Sequence, residues 1–174
     1  MKVLHLDQLK NGIPDISPAF GTLFAEAAAV CLTILGHKPG VQLVVEGDFK
    51  TNYQIGWTQE IGSLEIASWA DLKEAVEYGA TALAMLLMIE LTKFDSFARE
   101  DQYQGTDFEM RQHKQTGELA KLEISGILTE TDDNTLHIRI KTKERKIKKR
   151  GNLNHTVFVV VVEFASPKAK IIEI

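Results

Sequence analysis

A single cysteine, Cys31, leaves the chain with no internal disulfide to form. It lies in an apolar run and reads as a small buried hydrophobe. No Cys/His spacing of the zinc-binding kind occurs, so a structural zinc site is not the basis of the fold. The longest apolar runs, Ala25–Leu35 and Ala80–Leu91, are too short and too interrupted to span a bilayer. The opening M-K-V-L-H-L-D-Q-L-K lacks the sustained apolar core of a signal peptide. A cytoplasmic protein with no membrane partner is the expectation. No glycine-rich loop follows a predicted strand, so nucleotide hydrolysis has no support. Internal repeats and low-complexity segments are missing too. A formal charge of -4 argues against a globally basic nucleic-acid binder and leaves room for a local basic face.

What is present suffices for a core. With 174 residues, 44% hydrophobic and 25% charged, the chain reads as one α/β domain. Residues 1–69 form an N-terminal helix and β-hairpin extension, and 70–174 form the core. Ser17-Pro18 reads as a cap and first turn of a helix over Pro18–Leu35, ended by Gly36. Glu26, among alanines, reads as solvated. Val41–Glu46 and Tyr53–Thr58 flank a hairpin turn, and residues 59–69 read as an irregular connector. From Ala70 to Lys93, Leu72, Val76, Ala80, Leu83 and Leu87 recur at helical intervals, with Met85 and Met88 widening the apolar face; this helix should be buried across a sheet. Phe94–Gln104 reads as a polar, mobile connector. Thr135–Arg150 fits a strand or a basic helix capped by Asn134, and the helix is favoured. V-F-V-V-V-V-E-F at Val157–Phe164 is continuous and β-branched, as in a strand buried on both faces, and Ile171–Ile174 adds a short terminal strand.

Between Gly105 and Glu130, two short runs each carry one carboxylate, Asp107 in the first and Glu123 in the second, joined by a polar turn over Gln112–Gly117. As strands of one hairpin they bring the two acids together at one end of a sheet. Paired carboxylates there are suited to Mg²⁺ or Mn²⁺. Glu123 lies within L-E-I-S-G-I, where a charge is costly to bury without a partner or metal.

The order helix, Asp strand, Glu strand, helix, buried strand resembles the core of the PD-(D/E)XK, restriction-endonuclease-like superfamily. Four segments also resemble an uncharacterised bacterial family of that fold: Glu77-Tyr78-Gly79-Ala80, Gly105-Thr106-Asp107-Phe108, Leu122-Glu123-Ile124-Ser125-Gly126 and Val159–Phe164. The resemblance covers most of the chain from about Ala70. It implies a mixed sheet flanked by helices, with Asp107 and Glu123 as metal ligands and Glu77 as a further acid on the preceding helix. Ser125 stands where the catalytic lysine belongs; a hydroxyl hydrogen-bonds water but carries no positive charge. Lys121 shares the Glu123 face by strand alternation, and Lys141 or Lys143 can reach in from the next helix. Lys121 and Glu77 also fit plain surface positions.

The basic run containing Arg139, Lys141, Lys143, Arg145, Lys146, Lys148, Lys149 and Arg150 suits phosphate contacts or a solvated helix face. It has no interleaved aromatics for base stacking, so single-strand recognition is not indicated. His5, His37, His113, His137 and His155 show no ligand spacing. The resemblance therefore implies a divalent-metal-dependent nuclease or nucleic-acid-binding protein. Its alternative is a catalytically inactive member of the fold, kept as a binding or assembly module, with a bacterial defence or mobile-element system as the setting. Met85, Met88 and the hairpin would then offer contacts for a partner or a homodimer. An enzyme acting on an unrelated substrate is a third reading, since fold does not fix function.

Overall fold

Seven consecutive buried residues from Val157 to Glu163 make β7 (Thr156–Glu163) the axis of the molecule. A β-branched run of this kind needs apolar cover on both faces, which places it centrally in a sheet. The computed structural model describes residues 1–101, 105–113, 117–151 and 154–174. These form an α/β protein with one eight-stranded mixed sheet and five helices.

In chain order, β1 (Val3–His5) leads into a 3-10 helix (Leu6–Asn11), then α1 (Pro18–Ile34), β2 (Val41–Gly47) and β3 (Thr51–Gly56). Next come α2 (Ser63–Ser68), α3 (Leu72–Leu91), β4 (Ser96–Arg99), β5 (Phe108–Arg111) and β6 (Leu119–Ile127). The chain continues with α4 (Leu136–Arg150), β7 and β8 (Lys168–Glu173). The strands lie in the order β1-β3-β2-β8-β7-β6-β5-β4. Pairing of β6 with β7 is parallel, whereas β4–β5, β5–β6 and β7–β8 are antiparallel. The N-terminal hairpin joins the same sheet through the parallel pair β2–β8.

One face of the sheet carries α1 and α3 over a large apolar core that takes in Leu122, Ile124, Phe158, Val160 and Val162. The other carries α4 over a smaller cluster of Ile127, Leu136, Ile140, Ile147, Val157, Val159 and Val161. Two glycines of the motif segments allow close approach on the first face. A Cβ on Gly126 would meet Val76 Cγ1 and the Val76 carbonyl oxygen at 2.5 Å, and one on Gly79 would meet the Ala28 backbone at 3.0 Å. Gly126 thus lets α3 rest on β6, and Gly79 lets α1 rest on α3. Glu163, buried in the motif strand, accepts from the N–H groups of Ala165 and Ser166 and closes the β7–β8 turn. Cys31 is fully buried as expected, and burial pushes its thiol up to about 12.

Several expectations are corrected. Residues 59–69 contain α2. Glu26 is not solvated: it accepts hydrogen bonds from Trp69 Nε1 (3.0 Å) and Gln59 Nε2 (2.6 Å), tying α1 to the connector. Phe94–Gln104 contains β4, held because Ser96 and Phe97 are buried; residues 102–104 lie outside the described residues. Asp107 sits one residue before β5 and not within it. The turn expected over Gln112–Gly117 includes 114–116, also outside the described residues, but the strands it joins do pair. Thr135, not Asn134, caps α4, its hydroxyl accepting from Ile138 N. Met85 and Met88 are fully buried in the core, so they offer no surface to a partner. No helix among the described residues is long and apolar enough to cross a membrane.

Candidate functional site

Strand β6 runs nine residues, but β5 pairs only with its first part, from Leu119 to Leu122. Beyond that point the β6 edge is open, and Asp107 occupies it. The Asp107 N–H donates to the Leu122 carbonyl (2.9 Å), and its Oδ2 accepts from the Ile124 N–H (2.7 Å). The carboxylate thus replaces the ladder acceptor that a longer β5 would have supplied, satisfying a backbone donor that burial would otherwise strand. It also fixes Asp107 beside the residue that follows Glu123.

Alternation along β6 sends Ala120, Leu122 and Ile124 into the α3-side core and Lys121, Glu123 and Ser125 toward α4. Helix α4 meets them with two cations. Lys143 Nζ forms an ion pair with Glu123 Oε1. Arg139 Nη1 donates to Ser125 Oγ (2.9 Å), while Arg139 Nε donates to Asn134 Oδ1 (2.6 Å), which fixes the guanidinium. Arg139 and Lys143 are four residues apart, with Lys146 three further on, so the three share one helix face. Burial raises the Glu123 carboxyl above the ordinary carboxylate range; the neighbouring Asp107 charge adds to this, and Lys143 and Arg150 oppose it.

Lys121 is directed elsewhere. It lies directly opposite Glu109 across the β5–β6 ladder and pairs with Glu109 (3.2 Å) and with the Glu100 carboxylate. Burial lowers its pKa, but the hydrogen bonds to Glu100 and Glu109 outweigh burial and leave it raised. Glu100 also accepts from the Thr106 hydroxyl.

A cleft of about 830 Å³ opens around this edge. Glu77, Tyr78 and Thr81 of α3 line one side, and Arg139, Thr142, Lys143 and Lys146 of α4 line the other. Asp107, Ile124 and Ser125 lie between them. Among the sequence candidates, Asp107, Ser125, Glu77, Lys143 and Lys146 therefore line one cleft; Glu123 is not part of the lining and is tied to it through its ion pair with Lys143. Lys141, Arg145, Lys148 and Lys149 are exposed and lie outside it, Lys148 pairing with Glu144 (2.6 Å). The five histidines also lie outside; His37 Nε2 contacts the Phe164 and Ala165 carbonyls at 3.1 Å.

Two residues gain importance that sequence reading did not give them. Arg139 stood in the basic run but was not placed at the site; the i, i+4, i+7 spacing of Arg139, Lys143 and Lys146 was the available signal. Glu100 had no signal, because β4 was read as connector. Among the described residues no group of three or more His, Cys, Asp and Glu side chains is arranged to hold a metal ion. Comparison with family models, curated proteins and solved structures found no match for the chain.

Proposed function

We propose that this chain is a restriction-endonuclease-like nuclease whose cleft holds a phosphodiester of a nucleic acid, with Asp107 and Glu123 as ligands for Mg²⁺ or Mn²⁺. One observation carries this reading: Asp107 is held on the open β6 edge by the Ile124 N–H, next in sequence to Glu123, and α4 meets that strand with Lys143 at Glu123 and Arg139 at Ser125. The order α3, Asp107 before β5, Glu123 on β6, α4, β7 supports it.

Two carboxylates fit a small hard cation that keeps several waters and completes its shell with substrate phosphate oxygens. They do not make a closed protein cage. When bound, such a cation polarises a phosphoryl oxygen and acidifies a coordinated water. The protein's own groups supply the rest. With Oδ2 fixed by the Ile124 N–H, Asp107 presents its other oxygen to a ligand. Lys143 keeps an ammonium beside Glu123 and is a cleft cation that can meet charge developing on the phosphate. Arg139 brings to the Ser125 position the positive charge that a serine lacks, in a fork that matches phosphate geometry. Thr142 and Lys146 extend the α4 wall as contacts that position the backbone.

The second reading, a binding module without hydrolysis, is favoured by the Lys143–Glu123 ion pair, which satisfies the acid with no metal. Calorimetric titration with Mn²⁺, in the presence of a non-hydrolysable oligonucleotide, separates the two. The nuclease reading expects saturable binding by the wild type, lost in Glu123→Ala with the circular dichroism spectrum unchanged, and cleavage of the ordinary oligonucleotide. Oligonucleotide binding with no heat from millimolar Mn²⁺ leaves only the inert module.

A further inference from the structure

We propose that the cleft accepts single-stranded nucleic acid, with an unpaired base stacked against an aromatic wall that ends at Phe20. This rests on the nucleic-acid reading of the cleft and specifies the form of its substrate. The wall is built from separated parts of the chain. Phe20 and Phe24 come from α1, Tyr78 from α3 and Trp69 from the end of α2. Their rings form a continuous row, with centroids 5.9 Å apart for Phe20–Phe24, 5.7 Å for Phe24–Tyr78 and 5.9 Å for Trp69–Tyr78. Phe24 and Tyr78 line the cleft on the side facing α4.

Exposure changes sharply along the row: Phe24 is 2% exposed and Phe20 45%. A lone exposed phenylalanine is ordinary. This one ends the row just outside the cleft lining, and Arg99, itself a cleft residue, lies over the Phe20 ring with its guanidinium carbon 6.0 Å from the centroid. With Arg99 over one face of the ring, a base stacks on the other face of Phe20, and the α4 cations across the cleft suit the attached phosphate.

Charge points the same way. Nonspecific affinity for a duplex comes from a surplus of cations facing phosphates. The cleft has none: its lining carries four Asp and Glu residues against four Lys and Arg residues. Binding must then draw on something other than net charge, and stacking supplies it. In a duplex the base faces are already stacked on one another, so only an unpaired base can offer one to Phe20.

The test is fluorescence anisotropy with one labelled oligonucleotide, presented single-stranded or annealed to its complement, with Ca²⁺ in place of Mg²⁺. Wild type, Phe20→Ala, Phe20→Trp and Lys146→Ala are compared. Single strand should bind about tenfold more tightly than duplex, and Phe20→Ala should lose about tenfold on single strand only. Phe20→Trp should keep the affinity, and its added indole fluorescence should be quenched on binding. Lys146→Ala should weaken both forms. Equal affinity for both forms, or an unchanged Phe20→Ala beside a weakened Lys146→Ala, overturns the proposal and leaves the nucleic-acid cleft standing. Binding of neither form by the wild type removes the nucleic-acid reading, and this proposal with it.

Discussion

Helix α3 buries twelve of its 20 residues, whereas α4, on the opposite face of the sheet, buries three of its 15. The difference sorts structure from function. In α3 nearly every side is used for packing, against α1 through Gly79 and against β6 through Gly126, and only Glu77, Tyr78 and Thr81 reach the cleft. In α4 the narrow stripe Leu136, Ile140, Ile147 anchors the helix. The neighbouring stripe, Arg139, Thr142, Lys143 and Lys146, is left free to bring charge to β6. A helix held by few apolar contacts tolerates changes of charge on its other faces. One packed on most sides does not.

The sharpest way to break this contrast is Gly126→Ala. A methyl group would meet both a side chain and a backbone carbonyl of α3, which cannot swing away, so a loss of about 3 kcal/mol is expected in urea unfolding. A cost under about 0.5 kcal/mol would mean that α3 does not rest on β6 as closely as described. Ile140→Ala removes the middle of the α4 anchor from a small cluster and should cost about 2 kcal/mol by the same measurement. It should weaken the α4 contacts without unfolding the sheet, so near-native far-ultraviolet dichroism is expected to accompany the loss.

The smallest effect concerns the acid that α4 covers. Because burial and Asp107 raise the Glu123 carboxyl, its ionised form is disfavoured in the folded state. Below the unfolded value, about 4.3, both states are protonated and this cost is absent. As pH rises through the higher folded value, the folded state must ionise a half-buried group and loses stability. Glu123→Gln removes that cost. Thermal melts should place it at or above wild type near neutral pH, with the difference closing by about pH 4. A variant that is less stable near neutral pH would show that the Lys143 pair outweighs burial.

Legibility in the sequence follows the same division. Period and composition disclosed α1, α3, β6 and β7, because their apolar residues repeat along continuous segments. The four residues of β4 are too few for a period, and they hold as a strand through pairing with β5 and the burial of Phe97. Asp107 and Glu123 were visible as acids in unlikely surroundings. Of their cations, Lys143 was legible only as an alternative to Lys141, since the acids alone do not say which of the two faces β6. That choice is made by the rotation of α4 about its anchor, a tertiary property. The aromatic row was hidden for the same reason, being assembled from residues up to 58 positions apart in the chain (Phe20 to Tyr78).

The placement of Cys31 has a practical consequence. Fully buried in α1, with its thiol pushed up to about 12, it carries almost no thiolate near neutral pH and is closed to reagents. As the sole cysteine of the chain, it leaves the native protein silent to maleimides. A surface substitution such as Lys141→Cys therefore creates a single labelling position on α4 without a cysteine-free background. A dye attached there would report the approach of a ligand from a point just outside the cleft.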